Sequence, residues 1–265
     1  MILDQIAADT RLRVESKKKE ISLEEVKRDA QSMEKNTGFP FEMALRKPDL
    51  SFICEVKKAS PSKGIIAEEF PYLQIAKEYD EAGADAISCL TEPKYFLGKD
   101  EYLKAIAKEV KIPVLRKDFV VDEYQIYEAK ILGASAVLLI CAILEEEQLK
   151  VYLQIAKELG LSALVEAHDE KEIKQAVRAG AKIIGVNNRN LKDFSVNVGN
   201  STNLRNFVPP ELLFVAESGI KGPEEIKALR KNKVDAVLIG ETMMRSPDKA
   251  KMLRFLKGEE HHEES

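Results

Sequence analysis

The feature that most constrains this chain is a repeated form. Short apolar runs begin near Phe52, Asp85, Pro113, Ser135, Ser162, Lys182, Leu212 and Val234, and segments of helical periodicity lie between them. Tyr72–Tyr79 and Glu145–Leu159 carry apolar residues at helix-like intervals, whereas the runs are strand-length. Gly83-Ala84, Gly133-Ala134 and Gly180-Ala181 each close a helical segment just before the next run, and glycine after a helix takes the left-handed cap. Eight strand–helix units in a row predict an α/β fold, a (β/α)8 TIM barrel, rather than an open doubly wound sheet. No GxGxxG string follows the first run, as a dinucleotide-binding open sheet would require. A length of 265 residues suits one barrel. Residues 1–50 read as an N-terminal helical extension. Its apolar positions Ile6, Val14, Ile21 and Val26 are too loosely spaced for one face, so the reading is two or more helices, broken near Ser22 and across Lys35–Pro40. The barrel is expected over 51–257, and the acidic tail 258–265 is expected to be disordered.

A net charge of −4 gives no global attraction to nucleic acid or anionic membrane. No apolar run approaches the ~20 residues of a membrane span. Met1 to Arg11 lacks a signal-peptide core, so a cytoplasmic location is expected. Cys54, Cys89 and Cys141 fall in or at the end of apolar runs without CxxC spacing, which reads as buried core rather than disulfide or zinc chemistry. His261 and His262 lie in the tail, and His168 stands alone.

Alternation along the runs locates the chemistry. In the first run Ile53, Glu55 and Lys57 share one face while Phe52, Cys54 and Val56 share the other; later, Ile183, Gly185 and Asn187 group together. The polar faces point Glu55, Lys57, Lys117, Glu166, Asn187 and Glu217 into one barrel mouth, where active sites of this fold lie. A lysine and a glutamate on rigid strand tips supply a proton donor and a proton acceptor. Strand order sets Glu166 across the mouth from Lys117 rather than beside it. For a lysine to act as an acid its pKa is expected to move down toward working pH, through desolvation and the neighbouring Lys57 cation. The last two strands run into Glu217–Pro223 and Ile239–Arg245, where Gly219 and Gly240 let backbone N–H groups approach a phosphate. The Ser- and Lys-rich stretch Lys57–Gly64 reads as a lid.

With these residues laid out, the chain resembles the indole-3-glycerol phosphate synthase family of tryptophan biosynthesis. The resemblance rests on Glu-x-Lys-x-x-Ser-Pro-Ser at Glu55–Ser62, Leu-Thr-Glu-x-x-Tyr-Phe-x-Gly at Leu90–Gly98 and Lys-Asp-Phe at Lys117–Phe119. It continues through Val-Glu-Ala-His at Val165–His168, Gly-Val-Asn-Asn-Arg-Asn-Leu at Gly185–Leu191, Glu-Ser-Gly-Ile at Glu217–Ile220 and Leu-Ile-Gly-Glu at Leu238–Glu241. It implies closure of an indole ring with loss of carbon dioxide and water, without metal or organic cofactor. By resemblance Lys117 is the general acid and Glu166 the base. Lys57 faces the anthranilate carboxylate and competes for the second acid role, and Glu55 orients both lysines. Asn187, Arg189 and Glu217 would contact sugar hydroxyls and carboxylate. Ser60, Ser218, Gly219, Gly240 and Glu241 (by backbone) would bind phosphate, and Phe96, Phe119, Leu138 and Leu191 would wall the aromatic ring. The implied partner is a small phosphorylated molecule, with no nucleic acid and no membrane. The resemblance is compatible with a monomer making transient contact with other tryptophan-pathway enzymes. Two rivals share parts of the pattern: a Schiff-base aldolase, and a phosphoribosyl isomerase barrel, which has no need of the Lys57–Lys117–Glu166 trio.

Overall fold

All eight apolar runs become strands of a closed parallel barrel in the computed structural model, which describes residues 2–190 and 194–259. They are β1 (Ser51–Val56), β2 (Ala86–Leu90), β3 (Val114–Lys117), β4 (Ala136–Ile140), β5 (Ser162–Ala167), β6 (Ile183–Asn187), β7 (Leu213–Glu217) and β8 (Ala236–Ile239). Neighbours in sequence are neighbours in the barrel, and β8 closes on β1 with Ser51 opposite Ala236 and Cys54 opposite Ile239. Of the tail expected to be disordered, residues 260–265 lie outside the described residues, as does Leu191.

Three helices precede the barrel: α1 (Ile2–Glu20), α2 (Leu23–Ser32) and α3 (Pro40–Leu45). The break expected at Ser22 is an N-cap, its hydroxyl accepting the Glu25 N–H at 3.2 Å. Pro40 opens α3, where a missing N–H costs nothing. Glu42 N–H donates to Ser162 at 3.2 Å and Ser51 donates to the Ala44 carbonyl at 3.1 Å, so α3 lies at the strand starts. There Phe41 and Leu45 are fully buried in one cluster with Ile53, Leu115, Leu164 and Ile183. That end of the barrel is plugged, and the strand C-termini are left for chemistry.

Period-two alternation divides the apolar residues into two layers. Ile53, Leu115, Leu138, Leu164, Val215 and Leu238 fill the interior. Phe52, Cys54, Val56, Cys89, Val137 and Phe214 face the surrounding helices. Each fully buried Val, Leu, Ile or Phe among them contributes about 1.5–3 kcal/mol. All three cysteines are buried and free, and burial pushes the Cys54 thiol up to about 12. The helices are α4 (Tyr72–Glu81), α5 (Asp100–Glu109), α6 (Tyr124–Ile131), α7 (Glu146–Glu158), α8 (Glu170–Ala179), α9 (Gly199–Leu204), α10 (Pro223–Lys231), α11 (Glu241–Arg245) and α12 (Lys249–Lys257). Among the described residues none is long and apolar enough to cross a membrane.

Alternation also separates Arg116 from Lys117. Arg116 points outward into a buried ion cluster, 2.7 Å from Asp100 and 2.7 Å from Glu128. Helix α1 adds Lys17 to the same two carboxylates and Arg13 to Asp118, the latter at 2.7 Å. The extension is thereby fastened beside β3, whose next residue is the inward Lys117.

Candidate active site

A cavity of about 720 Å³ opens at the strand C-termini. Every site residue expected from the sequence and described by the structure lines it. Glu55, Lys57, Lys117, Glu166, Asn187 and Glu217 supply the charged and polar floor. Phe96, Phe119 and Leu138 form an apolar side, with the two rings 5.9 Å apart. Ser60, Arg189, Ser218, Gly219, Gly240 and Glu241 line the remainder.

The floor is a charge cluster. Lys117 Nζ lies 3.5 Å from Glu166 and 3.6 Å from Glu217. Asn187 Nδ2 donates to the other Glu166 oxygen at 3.4 Å. Lys57 pairs directly with Glu55. Two expectations are corrected here. Glu55 touches Lys57 but does not reach Lys117 as a direct partner. Glu166 meets Lys117 instead of standing across from it, because strands separated by β4 still aim their terminal side chains at one narrow axis. Gly185 makes room for Glu217: a Cβ there would overlap its carboxylate and lie 3.1 Å from Leu164.

Burial at this density divides the carboxylates. For Glu166, burial alone would raise the pKa, but Lys117 and His168 pull it below the usual carboxylate range. For Glu217, burial and the Glu166 charge push it up to about 8, and its Oε1 is buried without a hydrogen bond. Of the two carboxylates beside Lys117, Glu166 is thus held toward its charged form and Glu217 toward its neutral form, the split that separates base from acid roles. The expected downward shift of Lys117 is overturned. Burial does push it down, but Glu166, Glu217 and Glu55 outweigh that and hold it above the ordinary lysine value. A lysine so held is charged near neutral pH.

The end where an anion is expected is built from turns. Ser218 and Gly219 are consecutive left-handed residues at φ 67° and 82°. A Cβ on Gly219 would overlap Val196 and sit 3.1 Å from Val198. Thr242 donates to the Ile220 carbonyl at 2.6 Å, tying the loop after β7 to α11, the helix that follows β8. The Glu241 side chain, expected to contribute only backbone, gathers Lys63 at 3.5 Å, Arg245 at 3.2 Å and Arg189 at 3.9 Å. The stretch after β1 is ordered as a small antiparallel ribbon, Ala59–Ser60 against Gly64–Ile65. Among the described residues no group of three His, Cys, Asp or Glu side chains is placed to hold a metal ion.

The profile of the family described as "Indole-3-glycerol phosphate synthase" matches residues 3–256. The chain belongs to the indole-3-glycerol phosphate synthase family. It is 58% identical over 258 residues to the indole-3-glycerol phosphate synthase of Ruminiclostridium cellulolyticum, covering 97% of this chain and 99% of that one. It is 55% identical to that of Endomicrobium trichonymphae, covering 97% and 100%. A solved structure of 3-hexulose-6-phosphate synthase from Salmonella typhimurium superposes with a TM-score of 0.65 over 79% of this chain and 97% of that chain, at 15% identity, which speaks for the barrel alone.

Two contributions to this family member's site escape a reading of the strand ends. Ile2, Leu3 and Ile6 of α1 line the cavity, so the extension reaches the mouth. No periodicity announces this, since it depends on where α1 docks. The second is His168, whose Nε2 stands 3.2 Å from Glu166. A signal for it exists in its place two residues after Glu166, one past the end of β5.

Proposed function

We propose that this chain closes the indole ring of 1-(2-carboxyphenylamino)-1-deoxyribulose 5-phosphate, with Lys117 as proton donor and Glu166 as proton acceptor. The aryl carbon bearing the carboxylate attacks the ketone carbon, and Lys117 delivers its proton to the ketone oxygen as that oxygen becomes a hydroxyl. Loss of carbon dioxide returns the bonding pair to the ring. The hydroxyl departs as water on taking a second proton, drawn from solvent, and Glu166 removes one of the two protons on the carbon beside nitrogen to complete the indole. The surrounding carboxylates keep Lys117 charged until substrate is bound, and its proton moves only as the reacting oxygen turns into a strongly basic alkoxide. Lys57, paired with Glu55, would face the anthranilate carboxylate. Glu217, as a neutral acid, would hydrogen-bond to the substrate with Asn187 and Arg189. Ser60 and the turns at Ser218, Gly219, Gly240 and Glu241 would hold the phosphate, with Phe96, Phe119 and Leu138 against the ring.

The observation that carries this reading is the approach of Lys117 to Glu166 at 3.5 Å on the floor of a cavity whose rim carries Gly219 and Gly240. The same observation disfavours the Schiff-base rival, since an amine nucleophile must be unprotonated and the carboxylates around Lys117 oppose that. We further propose that the enzyme works in the cytoplasm as a monomer on a free phosphorylated substrate, with neither nucleic acid nor membrane involved, and meets other tryptophan-pathway enzymes only transiently. Incubation of the purified chain with the anthranilate-derived substrate should produce indole fluorescence, and borohydride should trap no covalent adduct. A trapped lysine adduct, or no fluorescent product, would refute the assignment.

A further inference from the structure

Glu166 is gripped from inside the barrel by Lys117 and Asn187, and from behind by His168. His168 does not line the cavity. Its ring is held at its far side, where Nδ1 lies 3.0 Å from Glu172 Oε2, and the same oxygen accepts the His168 backbone N–H at 2.8 Å. Glu172 is itself fixed in the first turn of α8, its N–H donating to the capping Asp169 at 2.9 Å. Cys141, in the turn after β4, closes the bracket with a contact to the Glu172 carbonyl at 3.6 Å. The other ring nitrogen, Nε2, is buried without an aligned hydrogen bond, and its charged neighbour is Glu166 Oε1 at 3.2 Å.

We propose that His168, braced by Glu172, is a positioning residue that aims the Glu166 carboxylate into the barrel mouth. The inference rests on Glu166 being the proton acceptor. Lys117 and Asn187 approach Glu166 from the side the substrate must occupy, so neither can hold its orientation while also serving the substrate. His168 is free to do so because it approaches from outside the cavity. The titratable groups around the ring are Glu166 on β5, Glu172 and Asp169 at the start of α8, and Cys141 after β4, with Lys117 beyond Glu166. Burial would lower the imidazole pKa, but Glu166 and Glu172 hold it up to about 10. The imidazolium and Glu172 cancel in charge, so Glu166 can gain and lose a proton against a neutral support.

The test compares His168→Gln, Glu172→Gln and Glu166→Gln across a pH series, with folding checked by circular dichroism. His168→Gln should lower kcat by roughly tenfold, the scale of one lost close charge contact, with KM within about twofold because the ring lies outside the cavity. Loss of its cation should also move the acid limb of the kcat profile up by roughly 1–3 pH units, which a merely structural role would not do. Glu172→Gln keeps its shape but removes both the brace and the anion that offsets the imidazolium, so kcat should fall in smaller measure while the acid limb does not rise; if His168→Gln does not fold, normal kcat in this variant overturns the inference. An unmoved acid limb with near-normal kcat overturns the inference when Glu166→Gln is inactive. Full activity of Glu166→Gln instead overturns the assignment of the base itself.

Discussion

Replacing Gly219 tests the anion end with two separable perturbations. The residue sits at φ 82°, and a Cβ there would overlap Val196 and crowd Val198 at 3.1 Å. Gly219→Ala therefore carries the backbone penalty of a left-handed L-residue, about 1–2 kcal/mol, plus displacement of the loop that holds Val196. Gly219→Asp carries the same terms and adds a charge. A phosphate oxygen hydrogen-bonded to this N–H would stand ~2.9 Å from the nitrogen, which brings a carboxylate on the new Cβ within ~4 Å of it. At an effective dielectric of about 20, each pair of like unit charges at that distance repels by about 4 kcal/mol, close to a thousandfold in binding. Calorimetric titration with inorganic phosphate should thus rank wild type above Gly219→Ala, and Gly219→Ala far above Gly219→Asp. KM for the substrate should follow the same order while kcat moves much less. Equal phosphate binding by the alanine and aspartate variants would refute the location of the phosphate.

Two further expectations concern the carboxylates and Lys57. Glu217 has its folded pKa raised from 4.5 to about 8, so the stability it contributes is full below about 4.5 and is lost as pH rises through 8. Glu217→Gln escapes that loss, and urea midpoints should shift in the variant's favour between those pH values and level off above; a pH-independent difference would contradict the burial argument. Glu166→Gln keeps shape and hydrogen bonding but cannot accept a proton, so rapid-quench sampling should show substrate bound and cyclised, then stalled before dehydration. Lys57→Ala should weaken binding as well as turnover, through loss of the cation facing the substrate carboxylate. Accumulation of a cyclised species by Lys57→Ala, with only unreacted substrate on Glu166→Gln, would reverse the two roles.

The barrel was legible because two independent periods agree, alternation within each strand and the recurrence of helix after strand. Alternation alone also assigned Glu55, Lys57 and Asn187 to the inner face, and the cavity lining bears this out. Distances across the barrel axis were not legible. Strand order separates β3 from β5, yet Lys117 and Glu166 meet at 3.5 Å because terminal side chains in a closed barrel converge. The direction of the Lys117 shift depends on a sum over Glu166, Glu217 and Glu55 against burial, which no linear reading weighs. His168 looked solitary because its anchor, Glu172, lies past the turn that ends β5, where strand periodicity gives way to helix. The reach of Ile2, Leu3 and Ile6 into the cavity follows from the Arg13–Asp118 and Lys17–Asp100 contacts that dock α1, and these pair residues far apart in sequence.

The central claim is that Lys117 gives up a proton during ring closure, and single-turnover kinetics on Lys117→Ala and Lys117→Arg tests it most directly. Alanine should slow the closure step by at least ~10²–10⁴, the scale of a lost general acid, with substrate affinity changed far less. Arginine keeps the positive charge near Glu166 and Glu217 but holds its proton too tightly to donate it, so it should not restore the rate. Near-normal closure in either variant would contradict the account, and in the arginine variant it would reduce Lys117 to a fixed charge.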